Sequence, residues 1–129
     1  MTHKTTEQLT ADLHVKQVEA EAAKLRYETL DGDIKFQKSR VLRCRFLAER
    51  ALNLMNDADY TAGRTGMEAD DIAYTLAKSD YERAAYSLEC EKDRLLERRP
   101  LLEEAFTAMS DADYAVEQAE ALLNETCAA

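Results

Sequence analysis

Met55-Asn56-Asp57-Ala58-Asp59-Tyr60 recurs 54 residues further on as Met109-Ser110-Asp111-Ala112-Asp113-Tyr114, with five identities in six positions. The match runs upstream at the same spacing. Ala23, Lys24, Tyr27, Glu28, Lys38, Arg40, Leu42, Arg45, Leu47, Glu49 and Ala51 reappear as Ala77, Lys78, Tyr81, Glu82, Lys92, Arg94, Leu96, Arg99, Leu101, Glu103 and Ala105. Self-similarity at one fixed period marks a supersecondary unit used twice. The sequence therefore predicts a tandem 54-residue duplication.

Each copy carries a seven-residue pattern that places apolar side chains on one helical seam. In the first copy Tyr27, Ile34, Val41, Ala48 and Met55 occupy the a positions, and Ala23, Leu30, Cys44, Ala51 and Ala58 the d positions. In the second, Tyr81, Leu88, Leu95, Leu102, Met109, Val116 and Leu123 occupy a, while Ala77, Ala84, Ala105, Ala112 and Ala119 occupy d. Alanine at d lets two helix axes approach closely. The fold expected is all-α: a long antiparallel helical hairpin, or coiled coil.

The one dense turn signal, Thr61-Ala62-Gly63-Arg64-Thr65-Gly66, lies between the copies and follows the helix-disfavouring Asp57 and Asp59. The chain then reads as a single domain over 1–129, with a first arm over about 5–60, a turn over 61–66 and a second arm over about 67–126. Folding back there brings Tyr27 and Ile34 towards Glu91 and Arg98, which puts two charges in the seam. Two breakers interrupt the arms, Asp31-Gly32-Asp33 and Pro100. They fall side by side across such a hairpin and predict a shared kink near Gly32 and Pro100. If both arms break fully, the alternative is a four-helix bundle with helices at 5–30, 34–60, 67–98 and 100–126.

Composition agrees with helix. Three Gly, one Pro and no Trp in 129 residues leave little material for strands and turns. No apolar run approaches the roughly 20 residues needed to span a bilayer, and the N-terminal stretch has no apolar signal core. A soluble, cytoplasmic protein that does not engage a membrane is the expectation. Cys44, Cys90 and Cys127 are odd in number and widely spaced, which suits reduced thiols better than a disulfide framework or a zinc ribbon.

The net charge of −9 is unevenly distributed. Residues 1–64 carry eleven Lys/Arg against ten Asp/Glu, and residues 65–129 six against sixteen. A basic surface able to hold phosphates is missing, so direct nucleic-acid binding is not expected. One basic cluster, Lys35, Lys38, Arg40, Arg43, Arg45 and Arg50, contains only Glu49 as an acid and is expected to find acids on the neighbouring helix.

No stretch announces catalysis. Asp57, Asp59, Thr61 and Glu68 stand at positions 1, 3, 5 and 12 of a calcium-loop pattern, but Ala62 takes the place of its obligatory glycine and Arg64 that of its apolar anchor. The turn reading, with Asp and Thr side chains on local backbone groups, is preferred. His3 and His14 have no ligand partner at i+4, and neither a nucleophile motif nor a phosphate loop is present. The expectation is no enzyme activity, no metal and no cofactor.

More informative are apolar residues away from the seam. Val18, Leu25 and Phe36 on the first arm, with Ile72, Tyr86 and Tyr114 on the second, form a partner or oligomer face. A non-enzymatic assembly, adaptor or scaffold protein that binds a protein partner or itself follows from that face. The alternative is an acidic inhibitor or decoy. It would present Asp70, Asp71, Asp80, Glu82, Glu89, Glu91 and Asp93 to the basic surface of a nucleic-acid-binding protein.

Overall fold

A computed structural model describes residues 4–128, and nearly all of them are helical. Helix α1 runs over Thr6–Thr65 and helix α2 over Glu68–Ala128, and the two long helices pack against each other. The start of α1 is written in its first residues. Gln8 donates its backbone N–H to the Thr5 hydroxyl at 3.2 Å, and the Gln8 side-chain oxygen accepts from the Thr5 N–H at 2.9 Å. This reciprocal capping box satisfies two of the donors that every helix N-terminus leaves open.

The turn is tighter than the sequence signal suggests. Residues 61–65 continue α1, and only Gly66 and Met67 connect the helices. Seam packing explains the extension: the a/d register passes from Met55 and Ala58 to Ala62, which is buried, while Asp57 and Asp59 remain in water. Burial here overrides the weak helix propensity of Asp and Gly. Gly66 ends the helix with φ of 64°, donating its N–H to the Ala62 carbonyl at 2.9 Å, a left-handed cap that favours glycine. The Thr65 hydroxyl then bridges the helices, accepting from the Met67 N–H at 3.3 Å and donating to the Asp70 carboxylate. Glu68, Asp70 and Asp71 fill the first turn of α2, where acidic side chains oppose the positive end of the helix dipole.

Neither helix ends at Asp31-Gly32-Asp33 or at Pro100, where the four-helix reading places its breaks. The heptad phase also passes both points unchanged. Even so, the chain divides into two compact units close to them, one of Met1–Asp33 with Arg98–Ala129 and one of Ile34–Glu97. In the first, Leu9, Ala20 and Ala105 are buried, and the Tyr27 ring meets Phe106 edge-on, with centroids 5.8 Å apart. In the second, Ile34, Val41, Ala48, Ala62 and Leu95 make the core. Every a and d residue named from the sequence is buried or half-buried. The expected neighbours of Glu91 need correction: Tyr27 lies instead against Phe106, and the d-position residue Gln37 reaches Glu91.

Candidate docking surfaces

The most enclosed polar group lies in the unit Ile34–Glu97. Gln37 and Glu91, 2% and 6% exposed, face each other across the seam. The Gln37 amide nitrogen donates to the Glu91 backbone carbonyl at 2.9 Å and to its carboxylate. The other carboxylate oxygen receives the Arg94 guanidinium at 2.7 Å, with the Arg40 guanidinium at 3.4 Å. A carboxylate held in this way is a structural pin, its oxygens engaged by Gln37, Arg94 and Arg40. Breaking a buried charged layer costs several times what an exposed pair contributes.

This layer also redraws the acidic face. Glu91 is turned into the seam and does not join a surface. Asp80 pairs with Arg83 at 3.2 Å, Glu89 with Lys92 at 3.3 Å, and Asp70 is held by Thr65. Asp71, Glu82 and Asp93 are exposed. The unit containing all seven is nearly neutral, with eleven Lys/Arg against twelve Asp/Glu, because the basic cluster of α1 lies in it. The uncompensated charge is elsewhere. The other unit has six Lys/Arg against fourteen Asp/Glu, and residues 100–129 hold seven acids and no base. Glu103, Glu104, Asp111, Asp113, Glu117, Glu120 and Glu125 are all exposed. The signal was in the sequence as a base-free run over 100–129, but a count over the whole of 65–129 averages that run with the six bases between Lys78 and Arg99.

All six residues of the expected apolar face lie in water: Val18, Leu25 and Tyr114 in one unit, Phe36, Ile72 and Tyr86 in the other. Arg40 sits over the Phe36 ring at 5.9 Å. A hydrogen bond with the Cys90 side chain, followed by the charge of that thiol, pushes the Tyr86 phenol above its ordinary pKa. Further exposed apolar residues were not singled out from the sequence, among them Leu42, Leu47, Leu54, Leu76, Leu96, Leu101 and Leu122. Leu47 and Leu101 border the seam at g, a position that a strict a/d reading passes over.

The chemical candidates fare differently. Asp57, Asp59 and Thr61 belong to helix α1, whereas a calcium loop needs irregular backbone to turn its oxygens inward. No group of three or more His, Cys, Asp or Glu among the described residues converges to hold a metal ion. His14 is exposed, and His3 lies outside the described residues. Cys44, Cys90 and Cys127 are free. No helix among the described residues is long and apolar enough to cross a membrane. An open groove of about 530 Å³ in the first unit is lined by Leu9, Val15, Ala115, Ala119 and Leu122 and edged by Lys4, Asp12 and Lys16. No family model, curated protein or solved structure matches the chain.

Proposed function

We propose that this protein is a non-enzymatic assembly or adaptor module, a duplicated helical unit that works by docking protein helices on its outer faces. One observation carries the reading. Four pairs of exposed apolar residues recur at the repeat spacing with nearly equal exposure: Val18 and Ile72 at 52% and 54%, Leu42 and Leu96 at 61% and 59%, Leu47 and Leu101 at 44% and 43%, and Tyr60 and Tyr114 at 69% and 62%. A duplicated seam is kept because it packs. Exposed Leu and Tyr offer no such return unless something outside the chain covers them. The duplication is supported further by matched burial of equivalents: Tyr27 with Tyr81, Val41 with Leu95, Met55 with Met109, and Gln37 with Glu91. Gly32 and Pro100 serve as a shared joint, and the three free cysteines suit the reducing cytoplasm.

The acidic-decoy reading draws support from the excess of fourteen acids over six bases in the unit of Met1–Asp33 and Arg98–Ala129. Its face would be Glu103 to Glu125, not the stretch from Asp70 to Asp93. A photo-cross-linking amino acid placed in turn at Val18, Leu42, Tyr60, Tyr86 and Leu96 tests the leading reading in the native cell. Cross-links to protein are expected from these positions and not from the buried Val41. Silence at all five would end the docking proposal. Capture confined to nucleic-acid-binding proteins at Glu104 or Asp111 would favour the decoy.

A further inference from the structure

We infer that the docking partner includes a second copy of this chain, seated through two stripes of opposite charge. The inference rests on the docking role proposed above and names its occupant. On α1, Phe36, Arg40, Arg43, Leu47, Arg50 and Leu54 follow one another at alternating spacings of four and three, so they form one stripe along the helix. The stripe contains no acid. Phe36, Leu47 and Leu54 are 65%, 44% and 57% exposed, and Arg43 and Arg50 are also in water. On α2, Leu101, Glu104, Ala108, Asp111, Ala115 and Leu122 lie on the corresponding stripe. This one contains no base, and Leu101, Glu104, Ala108, Asp111 and Leu122 are exposed. Ala115 and Leu122 also wall the open groove in that unit.

The two stripes are complementary in period as well as sign. Arg43 and Arg50 are one heptad apart, and so are Glu104 and Asp111; Leu47 and Leu54 repeat at the same interval as Leu101 and Ala108. Two helices laid together with these faces in contact place guanidiniums opposite carboxylates every second turn and Leu opposite small or apolar residues between them. Small alanines on the acidic stripe leave room for the leucines of the basic one, as they do in the protein's own seam. The charge balance of the units points the same way: the stretch bearing the acidic stripe has a surplus of acids that its own partner helix does not offset. Every copy carries both stripes, so each of two copies offers its basic stripe to the acidic stripe of the other.

Charge-swapped variants of the full chain, compared by sedimentation velocity, test this. The wild-type protein is expected to dimerise at low salt and to dissociate as salt rises, because exposed ion pairs are screened. R43E/R50E alone and E104R/D111R alone are each expected to weaken association by roughly tenfold or more, through like charges placed in apposition. Mixing the two variants puts opposite charges together at both contacts and is expected to restore the dimer, as is the four-substitution chain. Circular dichroism of each variant confirms that these surface changes leave the helices intact. A wild-type monomer at low salt overturns the inference, and so does an oligomer indifferent to either variant or a mixture that fails to recover. Cross-links from the outer faces to a different protein, with the wild type monomeric, would leave the docking role standing and remove only the self-contact.

Discussion

Gln37 and Glu91 stand 54 residues apart, the spacing at which the sequence resembles itself, and they hydrogen-bond to each other across the seam. In an antiparallel pair the numbers of facing residues keep a nearly constant sum, so their separation along the chain shrinks steadily towards the turn. Residues 54 apart therefore meet at only one level. The buried polar layer marks that level and pairs an amide with a carboxylate, where a symmetric pairing would place two amides or two carboxylates together. Gln37→Leu should therefore destabilise the fold by about 1–3 kcal/mol in urea unfolding, since the Glu91 carboxylate would stay buried without its amide donor. Glu91→Leu combined with Gln37→Leu should recover most of that loss. A Gln37→Leu protein as stable as the wild type would show that the layer is not a constraint.

The seam tolerates little extra volume. Ala105 is 1% exposed and stands at d, where its small size sets the approach of the helices. Ala105→Leu is expected to cost about 1–3 kcal/mol from overpacking. The same change at the exposed Ala108 should lie within about 0.5 kcal/mol of wild type. Equal effects at the two sites would contradict the assigned register.

Much of this was legible beforehand, and the reasons differ by element. The a and d series could be read because a helix repeats its burial every seven residues, so Ile34, Val41, Leu95 and Ala105 announce themselves by spacing. A charge in the seam at Glu91 was legible for the same reason, as the position falls in phase with Ala84 and Ala105. The end of α1 was not: Asp57, Asp59 and Gly63 signal a turn locally, while Ala62, buried against the second helix, decides the matter from a distance. The basic and acidic stripes were missed because charge was counted in consecutive blocks. Arg43 and Arg50 share a face with Leu47, whereas Asp70 and Glu91 share no face with Glu82.

Titration offers an independent check on the outer surface. Tyr86 should deprotonate at a higher pH than an ordinary tyrosine, since the Cys90 side chain opposes formation of its phenolate. Ultraviolet difference spectroscopy should show this late phase, and Cys90→Ala should remove it. A single unshifted transition in the wild type would mean that the contact does not persist in solution.

Glycines separate by backbone conformation. Gly66 has φ of 64°, so Gly66→Ala places a side chain where L residues are strained and should cost about 1 kcal/mol. Gly32 and Pro100 sit inside helices instead, and a Cβ added at Gly32 would meet nothing within 4 Å. Helix-interior Gly is disfavoured by about 1 kcal/mol relative to Ala, and Pro by about 3 kcal/mol. Pro100 also leaves the Leu96 carbonyl without its helical donor, at an exposed stretch of α2 where water reaches it. Gly32→Ala should raise stability by about 0.5–1 kcal/mol, and Pro100→Ala by about 1–3 kcal/mol, both measured by urea unfolding. In Pro100→Ala the new amide at position 100 should exchange slowly, because it donates to the Leu96 carbonyl. If these residues serve as a joint, the gain in stability should come with weaker partner cross-linking from the outer faces. A loss of stability in Pro100→Ala would mean instead that the ring is packed against something it needs, and the joint would be the wrong account of why it is there.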